Sequence, residues 1–211
     1  MGELIRRTAA QADILSDVRQ SYTSAQAVGG VFKTLADQTL KLALSLCDLI
    51  DGKLRTAEAK LAPLIAAQVA RNGLADQLVA GLSDLIWNDV GRPGQDPQYE
   101  LLFPSGISFY TEGPDDEQPA RMELLAEMLE SGLHPRLDTT RAKGYGKQLR
   151  DEATAFEAAI EAARKPRAQV AMYERLRTAS IRSAHGALVS YKRMLRAQGL
   201  SEAKIHEIIP D

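Results

Sequence analysis

Residues 91–119, GRPGQDPQYELLFPSGISFYTEGPDDEQP, hold five of the chain's nine prolines and four of its fifteen glycines. Proline removes a backbone donor and glycine loosens the backbone, so no long regular element runs through such a stretch. The flanks read differently. They are rich in Ala, Leu and charged residues with little β-branching, the composition that loses least on entering a helix. Aromatics make up 5% of the 211 residues, too few for a β-sandwich core. The expected fold is all-α: an antiparallel helical bundle built from two long helical hairpins, a single domain over 1–211 with 91–119 as an inserted acidic loop.

Helix boundaries follow from breakers and caps. Glu3 to about Tyr22 reads as a first helix with Leu4, Ile14, Leu15 and Val18 as contacts, stopped by Gly29-Gly30. From Val31 to Ile50 the apolar density is the highest in the chain, and Leu35, Leu42, Leu46 and Leu49 fit a heptad seam. A helix apolar almost all round belongs at the centre of a bundle, so Asp at Leu42 or Leu46 is expected to prevent folding. At Asp51-Gly52 the chain either turns or caps a new helix, Pro63 marks a kink or a start, and Asn72-Gly73 reads as a C-cap. Beyond the insert, Met122 to Leu129 give an apolar face. A long helix follows with Tyr145, Leu149, Ala153, Phe156, Ile160 and Ala163 on one side, its first turns weakened by Gly144 and Gly146. Lys165-Pro166 reads as a tight reversal into a second long helix ending at Gly199, and Ser201 caps a short last one before Pro210.

Chemistry-bearing patterns are scarce. Cys47 is the one cysteine, so no internal disulfide forms and a reducing, cytoplasmic compartment is expected. It sits in the most apolar helix, where burial makes a thiol inert. His134, His185 and His206 stand on separate elements without the Glu-x-x-His spacing of di-iron bundles and read as solvated or capping residues. Neither a metal nor a cofactor is expected. The carboxylate pairs Asp48/Asp51, Asp115/Asp116 and Asp151/Glu152 carry no sign of the desolvation that makes a general acid. No nucleophile elbow, phosphate loop or dinucleotide turn is present, and no apolar run approaches the roughly 18 residues of a membrane span. The opening MGELIRRTAAQA also lacks the apolar core of a signal peptide.

Two features carry functional weight. Trp87, Tyr99, Phe103, Phe109 and Tyr110, five of eleven aromatics, cluster at the insert. The reading is that Leu101, Leu102 and Phe103 plug the insert onto the bundle, with Pro104-Ser105-Gly106 turning the chain; the alternative is a partner-binding patch of Tyr99, Phe103, Phe109 and Tyr110. The second feature is the segment from Arg164 to Arg196, with nine basic residues against one acid, Glu174. On a helical wheel Val170, Tyr173, Leu176, Ile181, Ala184, Leu188, Tyr191 and Leu195 fill one arc. Arg167, Arg175, Arg182, Lys192, Arg193 and Arg196, with His185, fill another about 44 Å long. Arg177 alone lands on the apolar side.

The charge balance runs −1 over residues 1–90, −7 over 91–135 and +6 over 136–211. Glu157, Glu161 and the acidic insert are therefore the expected complements of the basic arc. The functional expectation is a non-enzymatic interaction or scaffold protein, with a protein partner or self-association as a homodimer and no membrane contact. Its candidate partner-binding residues are Tyr99, Phe103, Phe109, Tyr110, Arg175, Arg182 and Arg193. The alternative is a nucleic-acid-binding module using the basic face at 167–198; an enzyme with an unrecognised site stands third.

Overall fold

The computed structural model describes residues 8–209. Among them the helices are α1 (Gln11–Val28), α2 (Gly30–Asp89), α3 (Pro97–Leu102), α4 (Ser108–Thr111), α5 (Gln118–Glu130), α6 (Thr139–Ala197) and α7 (Glu202–His206), with one short extended segment, Pro104–Ile107. The fold is all-α, as its composition requires. The Glu3 start expected for the first helix and Pro210 lie outside the described residues. The chain forms two compact units, residues 1–59 with 168–211 and residues 60–167, and α2 and α6 each contribute to both.

In the first unit Gly29 and Gly30, with φ of 76° and 55°, make the turn between α1 and α2. A side chain in that left-handed region costs about 1–2 kcal/mol, which is why two glycines stand there. The α1–α2 hairpin is then fixed by Asp37, whose Oδ1 accepts from Tyr22 Oη and Gln26 Nε2, both at 2.9 Å, and by Arg19 on Asp48. α6 completes the unit. Arg177 Nε donates to Asp51 Oδ1 at 2.8 Å, and Tyr191 Oη donates to the Phe32 carbonyl at 3.2 Å. Positions rise on α2 as they fall on α6, so the two run antiparallel. Ala36, Leu40 and Cys47 of α2 meet Ile181, Ala184 and Leu188 of α6 in the core, where burial pushes the Tyr191 pKa up to about 12. Ser201 caps α7, as its sequence predicts, and Ile205, Ile208 and Ile209 close the end of the core.

The second unit packs Val79, Leu82 and Ile86 of α2 against Leu149, Ala153 and Phe156 of α6, again antiparallel, with Arg71 on Glu152 at 3.1 Å. Asp89, at the end of α2, takes both Arg141 and the Tyr145 hydroxyl of α6, and α5 adds Met122, Leu125 and Leu129. Gly146 lies where α6 passes α5: a Cβ there would stand 2.6 Å from Glu130 Oε1, which Arg150 holds in a two-pronged pair. Gly144 and Gly146, read from sequence as weak points, thus sit inside a continuous helix, one of them because a carboxylate needs its space.

Three expected breaks are absent. α2 runs through Asp51-Gly52 and Asn72-Gly73, and α6 runs through Lys165-Pro166 without reversing. The helices that pair lie on opposite sides of the insert, rather than folding back within each half. An interior glycine costs about 1 kcal/mol and an interior proline about 3 kcal/mol or more. The apolar positions on both sides of each breaker repay that, because they keep one helical register. Pro63 and Pro166 fall within four residues of the division between the units.

The insert is also more ordered than a loop. Asp96 caps α3, accepting from the Gln98 and Tyr99 amides at 3.0 and 3.1 Å, and Pro97 follows at its first turn, where no donor is missed. Leu102, Phe103 and Tyr110 are buried, and Tyr110 Oη donates to the Leu102 carbonyl at 2.5 Å. Anchoring is therefore what these residues do. Leu101, expected beside them as a plug, is exposed.

Candidate interaction surface

In the first unit α2 buries Ala36, Leu40, Leu44, Cys47, Ile50 and Leu54. Those positions recur every three to four residues and define one face. Of the expected heptad seam only Leu35 is buried: Leu42 is 77% exposed, Leu46 42% and Leu49 56%. The sequence placed these leucines at the centre of the bundle, and the structure puts them outside. The half-buried Asp37 and Asp51 find partners on α1 and α6, and with those sides of α2 turned inward the leucines are left outside. Scattered exposed leucines are ordinary on a protein surface, but three in one line form a contiguous apolar stripe.

The basic arc of α6 divides into paired and unpaired residues. Arg196 and Lys192 reach Glu202 of α7 at 2.5 and 3.8 Å, and Lys192 is buried rather than displayed. Arg177, the exception on the wheel, is the cation that Asp51 holds, with Gln11 Oε1 also accepting from it. Arg167 donates to Gln68 Oε1 at 3.0 Å, and Gln68 Nε2 donates to Asp115 at 2.9 Å. That relay ties the first residue of the arc to the acidic insert. Glu161 pairs with Arg164 at 2.6 Å. Arg175, Arg182 and Arg193 are exposed, and among the described residues none has an acidic partner. Seven and eleven residues apart, they share one side of α6.

The aromatic candidates form a chain inside the second unit. Trp87–Tyr99, Tyr99–Phe103, Phe103–Tyr110 and Tyr110–Phe109 stand 4.9, 5.1, 5.8 and 4.9 Å apart between ring centres. Phe103 and Tyr110 are buried and offer a partner no surface, which removes them as binding residues. Tyr99 is half-buried with its hydroxyl on Ser83, and Phe109, the most open of the four, is covered on one face by the Arg121 guanidinium. This group packs the insert down.

The remaining polar groups are engaged structurally. His134 is buried, not solvated: its Nδ1 accepts from the Arg136 amide at 3.3 Å while Nε2 faces Asp96 Oδ2 at 3.4 Å. Desolvation opposes the charge on Asp96, but the Tyr99 and Gln98 amides and His134 outweigh it and hold its pKa below the usual value. Burial pushes the Cys47 thiol up, away from the range of a nucleophile. An open groove of about 500 Å³ beside α1 is lined by Arg19, Gln20, Asp51 and Arg177, whose charges already pair among themselves or with Asp48. Among the described residues no three His, Cys, Asp or Glu side chains converge on a metal position, and no helix is long and apolar enough to cross a membrane.

The class these features define is an all-helical protein with a leucine stripe and an arginine stripe on one unit. Comparison with protein-family models, curated proteins and solved structures gives no match.

Proposed function

We propose that the chain is a non-enzymatic interaction protein that docks a partner helix on the leucine face of α2. The exposure of Leu42, Leu46 and Leu49 in one line carries this reading. Covering a leucine fully is worth about 1.5–3 kcal/mol, and the heptad spacing suits knobs-into-holes contact with a second helix. A lone thiol buried in the core fits a reducing, cytoplasmic setting. Site-specific photo-crosslinking in cells tests the proposal: a photoreactive side chain in place of Leu42 captures a polypeptide, and Leu46→Asp with Leu49→Asp in the same chain abolishes the capture. Failure to crosslink from any of the three leucine positions contradicts it.

A second reading, nucleic-acid binding through α6, is favoured by the exposure of Arg175, Arg182 and Arg193 without acidic partners among the described residues. Phosphate contacts weaken steeply with salt. Salt-sensitive retention on DNA or RNA that is lost when all three arginines become Glu supports this reading. Indifference to nucleic acid at low salt removes it.

A further inference from the structure

We infer that the occupant of the leucine face is a second copy of this chain, its α2 lying antiparallel against the first. The inference rests on the docking reading above and adds who docks. Its ground is the charge pattern of the face. From Gln38 to Thr56 the exposed line runs through Leu42, Leu46 and Leu49 and carries one charge, Lys53. The other exposed charges of this stretch lie elsewhere: Lys41, Asp48 and Arg55 border the grooves shared with Arg19 of α1. An acidic or basic partner helix therefore finds almost nothing to pair with. A charge-poor leucine line is the matching surface, and the same α2 in another copy supplies one.

Lys53 also selects the direction. It follows Leu46 by seven residues and so occupies the next seam position. Two parallel copies in register stack Lys53 on Lys53, opposing like charges at the seam. Antiparallel copies related by a two-fold axis between Leu46 and Leu49 set each Leu46 against the partner's Leu49. Each Lys53 then crosses the partner's Leu42, where its aliphatic stem covers leucine and its ammonium reaches water. Such a two-fold contact is self-complementary and closes at two copies. Three leucines cover well under the roughly 800 Å² per partner of a standard stable complex, so the dimer is a reversible one that dilution takes apart.

Sedimentation or light scattering of the full chain over a dilution series tests the inference. The expected result is a shift from twice the monomer mass to the monomer mass as concentration falls, and a monomer at every concentration for Leu46→Asp with unchanged circular dichroism. Mild oxidation reads the direction, because buried Cys47 does not compete: mixed Leu42→Cys and Lys53→Cys chains join each other, and neither joins itself. Self-joining of Lys53→Cys chains overturns the antiparallel arrangement. A wild type that stays monomeric throughout, or a dimer indifferent to Leu46→Asp, overturns the self-pairing. In the monomeric case the photo-crosslink from Leu42 separates the two claims. Capture of a different polypeptide leaves docking standing without self-pairing, and capture of nothing removes both.

Discussion

Asp96 does two jobs with one carboxylate, capping α3 and facing the buried His134 ring. Its pKa is lowered by folding, so the stability it contributes is full above its ordinary value of 3.8 and is lost as pH falls through the folded value. Asp96→Asn keeps a good N-cap but removes the charge beside His134. The melting temperature of this variant should lie below wild type at pH 6, with the gap closing toward pH 3; a gap independent of pH contradicts the electrostatic part of the clasp. His134 shows what sequence reasoning misses at this scale. A lone histidine beside Pro135 carries no periodic signal, and its partner stands 38 positions earlier. The burial of Leu102 and Phe103 was legible, whereas Leu101, read with them, is exposed, and the cap at Asp96 was missed.

At the scale of elements, the helical character of α1, α2, α5 and α6 and the turn at Gly29-Gly30 were legible from composition and breakers. Continuity was not. Local signals at Gly52, Gly73 and Pro166 favour a break, and the apolar register that overrides them is a property of the packed core. The missing amide at Pro166 leaves the Ala162 carbonyl without its helical donor. Pro166→Ala restores that bond and should stabilise the protein by about 1–3 kcal/mol, raising the denaturant midpoint with an unchanged slope. A lower midpoint would mean that the packing around α6 depends on the proline ring itself. The orientation of α2 failed from sequence for a related reason. Where a helix is apolar nearly all round, periodicity does not choose a face, and the half-buried Asp37 and Asp51 add partners distant in the chain that no local pattern shows.

For the molecule as a whole, the arginine stripe was legible in composition, although its buried or paired members, Arg167, Lys192 and Arg196, were separable from Arg175, Arg182 and Arg193 only in three dimensions. The leucine face was visible as a pattern and assigned to the wrong side of the fold. The proposed function rests on that assignment, because leucines packed in the core have no surface left to offer a partner. The most direct measurement is the thermal melt of Leu42→Asp by circular dichroism, made dilute enough that the wild type is monomeric. With Leu42 77% exposed, the variant should keep wild-type helicity and a cooperative melt, losing no more than about 0.5–1 kcal/mol for Asp in mid-helix. An unfolded or non-cooperative variant would put Leu42 in the core and contradict the docking face.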